Sequence, residues 1–254
     1  MGREAFSLEG KHVVVVGASS GLGRATALRC AEAGARISAC ARRQDRLADL
    51  VAGLPGGGHG YRLLDVKESE AVAPVFDGFV ADRGPIDGLV YSAGVNIIRP
   101  LNVLSPAVLD DVYAVNLRGA AFCCKAATAN TRAARQGQSL VLISSLAASR
   151  PAGPCMVPYA ATKAGLHGLV RAMAIEYARL KVRVNAVAPG PILTELWDSA
   201  EMTADRKEEI CRAALLGAGG ADDVAYACIY CLSSASRWVT GSVLAVDGGA
   251  GLGA

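Results

Sequence analysis

Seven short runs of apolar, largely β-branched residues punctuate this chain, with longer segments of helical period between them. The runs cover residues 13–16, 37–40, 61–64, 86–91, 140–144, 182–187 and 243–246. As a set they are too apolar for regular alternation with polar side chains, so they are expected to be buried on both faces, as in a parallel sheet covered by helices. The intervening segments 22–33, 44–53, 68–82, 106–135, 157–180 and 221–233 are predicted helices. Strand and helix in alternation specify an α/β fold, a doubly wound, seven-stranded parallel sheet with helices on both faces. A length of 254 residues suits one domain spanning 1–254. The glycine-rich stretches at 56–60 and 217–220 are loops, too short to divide it.

Composition narrows the partners. Hydrophobic residues make up 52% and charged residues 19% of the chain, enough to bury a large core and too apolar for disorder. A net charge of +3 is too mild to argue for nucleic acid or an anionic membrane. No apolar run approaches the ~20 residues a spanning helix needs. Arg3, Glu4 and Glu9 precede the first run, which is too short for a signal peptide, so a soluble cytoplasmic protein is expected. The eight cysteines sit among apolar neighbours and read as small buried hydrophobes. Cys228 and Cys231 form a lone CxxC without a second pair or a nearby histidine, which argues against a metal or redox role. His12, His59 and His167 lie far apart, offer no ligand spacing and are expected to be structural or solvent-facing.

Two local patterns carry chemistry. The first strand runs directly into Gly17-Ala18-Ser19-Ser20-Gly21-Leu22-Gly23-Arg24 and then a helix. Glycines at such a turn let backbone approach a pyrophosphate, and the helix N-terminus adds free N–H groups and a positive dipole end. The second pattern is Tyr159 and Lys163, four apart on a predicted helix and so on one face. They stand about 6 Å apart along the axis. A free phenol titrates near pH ~10, and a neighbouring ammonium favours its ionised form.

With its GxxxGxG spacing and YxxxK pair, the chain resembles the short-chain dehydrogenases/reductases over nearly its whole length. Asp65-Val66 looks like the family's adenine-contacting segment, and Ser92-Ala93-Gly94 stands in place of Asn-Asn-Ala-Gly. Asn116, in Val115-Asn116-Leu117-Arg118-Gly119, matches the helix asparagine of the catalytic tetrad, and Ser145 matches its serine. Pro189-Gly190-Pro191-Ile192-Leu193-Thr194 matches the motif beside the nicotinamide, and Asp247-Gly248-Gly249 follows the last strand. The resemblance implies a Rossmann-type fold binding NAD(P). It also implies Tyr159 as general acid/base, Lys163 as its partner and ribose contact, Ser145 as donor to the substrate oxygen, and Asn116 as anchor of a water leading to solvent. Ser144 is the alternative active hydroxyl. Cofactor contacts are expected from Gly17, Ser19, Ser20, Gly21, Leu22, Gly23, Arg42, Arg43, Asp65, Val66, Ser92, Ala93, Gly94, Tyr159, Lys163, Pro189, Gly190, Ile192 and Thr194.

The family reads the adenosine ribose at the end of strand two, where a carboxylate accepts from the 2′-hydroxyl of NAD. Here Ala41 takes that place and Arg42 and Arg43 follow, which favours the 2′-phosphate of NADP, with NAD as the alternative if both guanidiniums are merely solvated. Departures from the pattern are Val16 for a threonine, Ser92 for an asparagine, and one extra residue between Ser145 and Tyr159. A substrate lid is expected at 193–212, with Leu193, Leu196, Trp197 and Met202 facing Cys155 and Met156. Within the family the chain resembles the 3-oxoacyl-acyl-carrier-protein reductase-like members. The resemblance implies NADP-dependent interconversion of a ketone and a secondary alcohol, on a small molecule or a carrier-bound acyl chain, by a homotetramer. A non-catalytic nucleotide sensor is the competing class.

Overall fold

The computed structural model describes residues 2–129, 137–150, 153–192, 203–212 and 214–252. Pairing of the strands reveals an alternation that two apolar faces hide in the sequence. In β1 (His12–Val16), Val13 and Val15 point into one core and Val14 and Val16 into another. β2 (Arg36–Ala41) and β3 (Gly60–Leu63) lie to one side of β1. β4 (Gly88–Tyr91), β5 (Ser139–Ile143), β6 (Arg183–Pro189) and β7 (Val243–Val246) extend the other. The order is β3-β2-β1-β4-β5-β6-β7, and every pair is parallel. Successive strands step outward from β1 in one direction and then, from β4 on, in the other. That reversal opens a crevice at the carboxyl ends of β1 and β4.

After a short α1 (Gly2–Ala5), α2 (Gly21–Glu32), α3 (Gln44–Ala52) and α9 (Ala221–Leu232) cover one face, burying Ala27, Cys30, Leu47, Leu50, Val224 and Cys228. The other face carries α4 (Ser69–Arg83), α5 (Pro106–Tyr113), α6 (Gly119–Thr128) and α7 (Val157–Glu176), with Phe76, Phe79, Cys123, Leu166 and Val170 inside. α8 (Ala204–Arg212) stands apart from both layers in sequence, after the Pro-Gly motif. No helix among the described residues is long and apolar enough to cross a membrane.

Several expectations are corrected. β3 and β7 are only partly buried, because each is an edge strand with a neighbour on one side alone. The helix expected over 106–135 is two helices joined by a π turn at Ala114–Arg118, and its residues 130–135 lie outside the described ones. The buried hydroxyl of Tyr91 enters this turn from the sheet and donates to the carbonyl of Val115. Gly119 makes room for it, since a Cβ there would stand 2.6 Å from the Tyr91 hydroxyl. α7 stops at Glu176, short of the expected 180, and a 3₁₀ turn at Ala178–Leu180 ends on Lys181 in the left-handed region. Six cysteines are buried, but Cys155 and Cys211 are half-buried. His12 is wholly buried, with Nδ1 3.0 Å from the Gly84 carbonyl and Nε2 2.8 Å from the Ser38 hydroxyl, a structural role.

Candidate active site

A cleft of about 530 Å³ opens at the carboxyl ends of the strands. Gly17, Ser19, Ser20, Gly21 and Leu22 line it at the β1–α2 turn. Gly17 has φ +81° and Gly21 φ +51°, conformations that favour glycine. Gly23 lies behind the turn: a Cβ on it would meet the Gly17 carbonyl oxygen at 2.2 Å. A Cβ on Gly17 would meet Ala93 nitrogen at 2.6 Å. The glycines therefore serve close packing of strand, helix and the β4 loop, and they leave backbone at the cleft wall. Ser20 is the N-cap of α2 yet makes no side-chain cap. Its hydroxyl accepts instead from Arg43 at 2.6 Å, and Arg43 also reaches Ser19 at 2.9 Å. The first-turn N–H groups of α2 so lack the usual cap, which suits a bound diphosphate.

Arg42, Arg43, Asp65 and Val66 line the end of the cleft next to Ala41. Asp65 Oδ1 accepts from the Lys67 amide at 3.0 Å and holds its own turn. Ser92, Ala93 and Gly94 form the floor after β4. With serine at 92, that loop is held through backbone: Ser92 N–H donates to the Val16 carbonyl at 2.9 Å. Asn116 completes the hold. Wholly buried in the π turn, it accepts from the Val95 amide at 2.9 Å and donates to the Val95 carbonyl at 3.0 Å and to the Thr162 hydroxyl at 3.1 Å. Asn116 thus stands behind the cleft wall, tying the β4 loop to α7.

α7 supplies the reactive pair. Pro158 in its first turn and the apolar stripe of Leu166 and Val170 set the helix against β5, so Tyr159 and Lys163 face the strand's end. Both line the cleft with Ser144 and Ser145. Burial pushes the Tyr159 phenol above its ordinary value, and a hydrogen bond with the Ser145 hydroxyl draws it back down in part. Lys163 Nζ lies 5.8 Å from the Tyr159 ring centroid and donates to the Ile143 carbonyl at 2.8 Å. Desolvation is the largest influence on both groups in the cofactor-free chain: it raises the phenol and lowers Lys163 to about 8. The two serines point in different directions. Ser144 turns to α7, where its Oγ meets the Lys163 carbonyl and His167, whereas Ser145 meets Tyr159.

Pro189, Gly190 and Ile192 line the far wall. A Cβ on Gly190 would stand 2.6 Å from Asp247 Cα, so the last turn packs directly on this motif. Asp247 folds that turn by accepting from the Gly249 and Gly251 amides at 3.0 and 2.9 Å. Arg150 donates to the Ala250 carbonyl at 3.1 Å, and the Leu216 amide donates to the Gly248 carbonyl at 3.0 Å. Thr194, Leu193, Leu196, Trp197 and Met202 lie outside the described residues, as does the lid up to 202. The residues that sequence reasoning missed act mostly through backbone, as Ile143 and Val95 do, and leave no side-chain signature. Thr162, between Tyr159 and Lys163, was the one findable by its place.

A protein-family model described as enoyl-(acyl carrier protein) reductase matches residues 17–251. The chain is 34% identical to a D-threitol dehydrogenase of Mycolicibacterium smegmatis, across 96% of this chain and 94% of that one. It is 35% identical to a 3-oxoacyl-[acyl-carrier-protein] reductase of Thermotoga maritima, across 95% and 98%. A crystal structure of a gluconate 5-dehydrogenase from Burkholderia cenocepacia, in complex with NADP and tartrate, superposes with a TM-score of 0.92 at 30% identity, covering 100% of both chains.

Proposed function

The chain belongs to the short-chain dehydrogenase/reductase family, and on that footing we propose that it is an NADP-dependent oxidoreductase interconverting a ketone and a secondary alcohol, with Tyr159 as general acid/base. The observation that carries this reading is the meeting of Tyr159, Ser145 and Lys163 in the cleft that also holds the uncapped start of α2. Bound there, the dinucleotide supplies or accepts the hydride. The protein does the rest. Ser145 and Tyr159 both line the cleft, and a substrate oxygen placed between their hydroxyls would receive two hydrogen bonds that strengthen as charge develops on it. Tyr159 passes its proton to that oxygen in reduction and takes it back in oxidation. The phenolate left behind is stabilised by the Lys163 ammonium one helical turn on, in a buried setting where such attraction is weakly screened.

Ala41 puts a methyl where a ribose-binding carboxylate would repel a phosphate. Arg43, braced on Ser19 and Ser20, presents a guanidinium beside it, which supports NADP over NAD. The domain spans 1–254 and its lid covers 193–212. Relatives named for threitol and gluconate favour a small hydroxylated substrate, and the carrier-protein reductase keeps a carrier-bound acyl chain within the reading. The working form is a homotetramer with α5–α6 and α7 at an interface. Initial rates at 340 nm with NADPH and with NADH, over a panel of polyol-derived ketones, 3-oxoacyl esters and cyclic ketones, test the proposal. Turnover faster with NADPH, lost in Tyr159→Phe with NADPH still bound, is expected. Wild-type rates in that variant, or silence across the whole panel, would overturn it.

A further inference from the structure

Tyr159, Lys163 and His167 recur every four residues along one face of α7. Each meets a different one of the three consecutive residues where β5 ends. Lys163 donates to the carbonyl of Ile143, His167 Nε2 lies 2.8 Å from the hydroxyl of Ser144, and Tyr159 lines the cleft beside the hydroxyl of Ser145, close enough to feel it. Ser144 is the polar end of a row, Leu140, Leu142 and Ser144, that alternation turns toward α7. It is 3% exposed, and its hydroxyl donates to the carbonyl of Lys163 at 3.1 Å. With its single proton given to that carbonyl, the hydroxyl accepts from His167, which assigns the imidazole as the Nε2–H tautomer.

We propose that His167 is a positioning residue for the reaction: through Ser144 it locks the height of the β5 terminus on α7, and so sets Ser145 against Tyr159 and the Ile143 carbonyl against Lys163. The bond touches no reacting atom. It crosses between the strand that carries one hydroxyl donor and the helix that carries the other, one turn from Lys163. Nearby packing by Leu166 and Val170 holds the two elements together but is tolerant of sliding, whereas a 2.8 Å hydrogen bond is not. Misplacement of reacting groups by about 1 Å costs on the order of a hundredfold in rate, so a partial loss of register is read mainly in kcat.

The proposal rests on the oxidoreductase reading, and its test keeps the two apart. kcat and KM are measured with NADPH and the best ketone of the panel for wild type, His167→Phe, His167→Gln, Ser144→Ala and the Phe/Ala double variant. Expected are a kcat lowered about tenfold in His167→Phe, KM and NADPH affinity within about twofold, recovery of most of the rate in His167→Gln, and a double variant no slower than the worse single one. Unchanged kcat in His167→Phe, a change confined to KM, or additive losses would overturn it. Imidazole ¹⁵N spectra need no turnover: with three histidines in the chain, the His167 signal is assigned by its loss in His167→Gln. An Nε2–H pattern that shifts in Ser144→Ala is expected, and one indifferent to Ser144 would sink the latch even if the enzyme reading stands. A wild type without turnover, with the shift intact, would sink the reading instead.

Discussion

Lys163 keeps an ammonium 4% exposed beside a backbone carbonyl, and desolvation brings it from an ordinary 10.5 to about 8. Because its folded value lies below its unfolded one, the unfolded chain binds more protons between pH 8 and 10.5, and its contribution to stability rises with pH through that window. Below pH 8 the penalty is fully present, on the order of 3 kcal/mol at most. Lys163→Met is therefore expected to raise the urea midpoint of the cofactor-free protein at pH 7, with the gain shrinking by pH 9.5. A gain that stays constant over this range would contradict it. The same residue marks where sequence reasoning stopped. Tyr159, Lys163, Ser145 and Asn116 were readable because together, and in order with the glycine turn, they match a family pattern; the YxxxK spacing alone is common. The partner of Lys163 was not, since any residue can lend the carbonyl that Ile143 lends. Desolvation of the pair was hidden too, for it depends on which chain segments close over them.

The β1–α2 turn works through what its glycines lack. Adding a methyl at Gly23 sets it 2.2 Å from the Gly17 carbonyl oxygen, and neither backbone can yield without shifting α2 against β1. Gly23→Ala is expected to lower NADPH affinity at least about tenfold in a fluorescence titration and to destabilise by roughly 1–3 kcal/mol in chemical unfolding. Wild-type affinity in that variant would remove the packing argument. Strand, turn and helix here were readable because composition and period agree. The π turn at Ala114–Arg118 was not: nothing in its residues departs from a helical sequence, and the widening answers to Tyr91, more than twenty residues earlier, reaching into it. Edge exposure of β7 was likewise invisible, because Val243–Val246 is as apolar as the inner strands and only sheet order distinguishes it, whereas Arg62 in β3 was a hint.

Taken whole, the molecule buries six thiols in two cores on either side of one sheet. Burial pushes Cys30 and Cys124 up to about 12 and Cys231 to about 11, and raises Cys40, Cys123 and Cys228 as well. Folded values above unfolded ones mean stability fully present below the ordinary thiol range and lost as pH climbs beyond it. Six such groups outweigh the single opposite slope of Lys163. The reduced protein is expected to show a urea midpoint that falls steadily from pH 8 to 10.5, and a flat profile would refute the burial account. The family pattern made the global layout foreseeable from alternation alone, while the bonds that close the cleft were not, because they join segments distant in the chain. Asp247 and its turn meet Gly190, Arg150 and Leu216, which stand about 30 to 100 residues earlier in the chain. A chain made only as far as residue 240 has its glycine turn, its tyrosine and its lysine, yet nothing packed behind Gly190. The Pro-Gly segment of such a polypeptide would lack the support that the turn at Asp247 lends it.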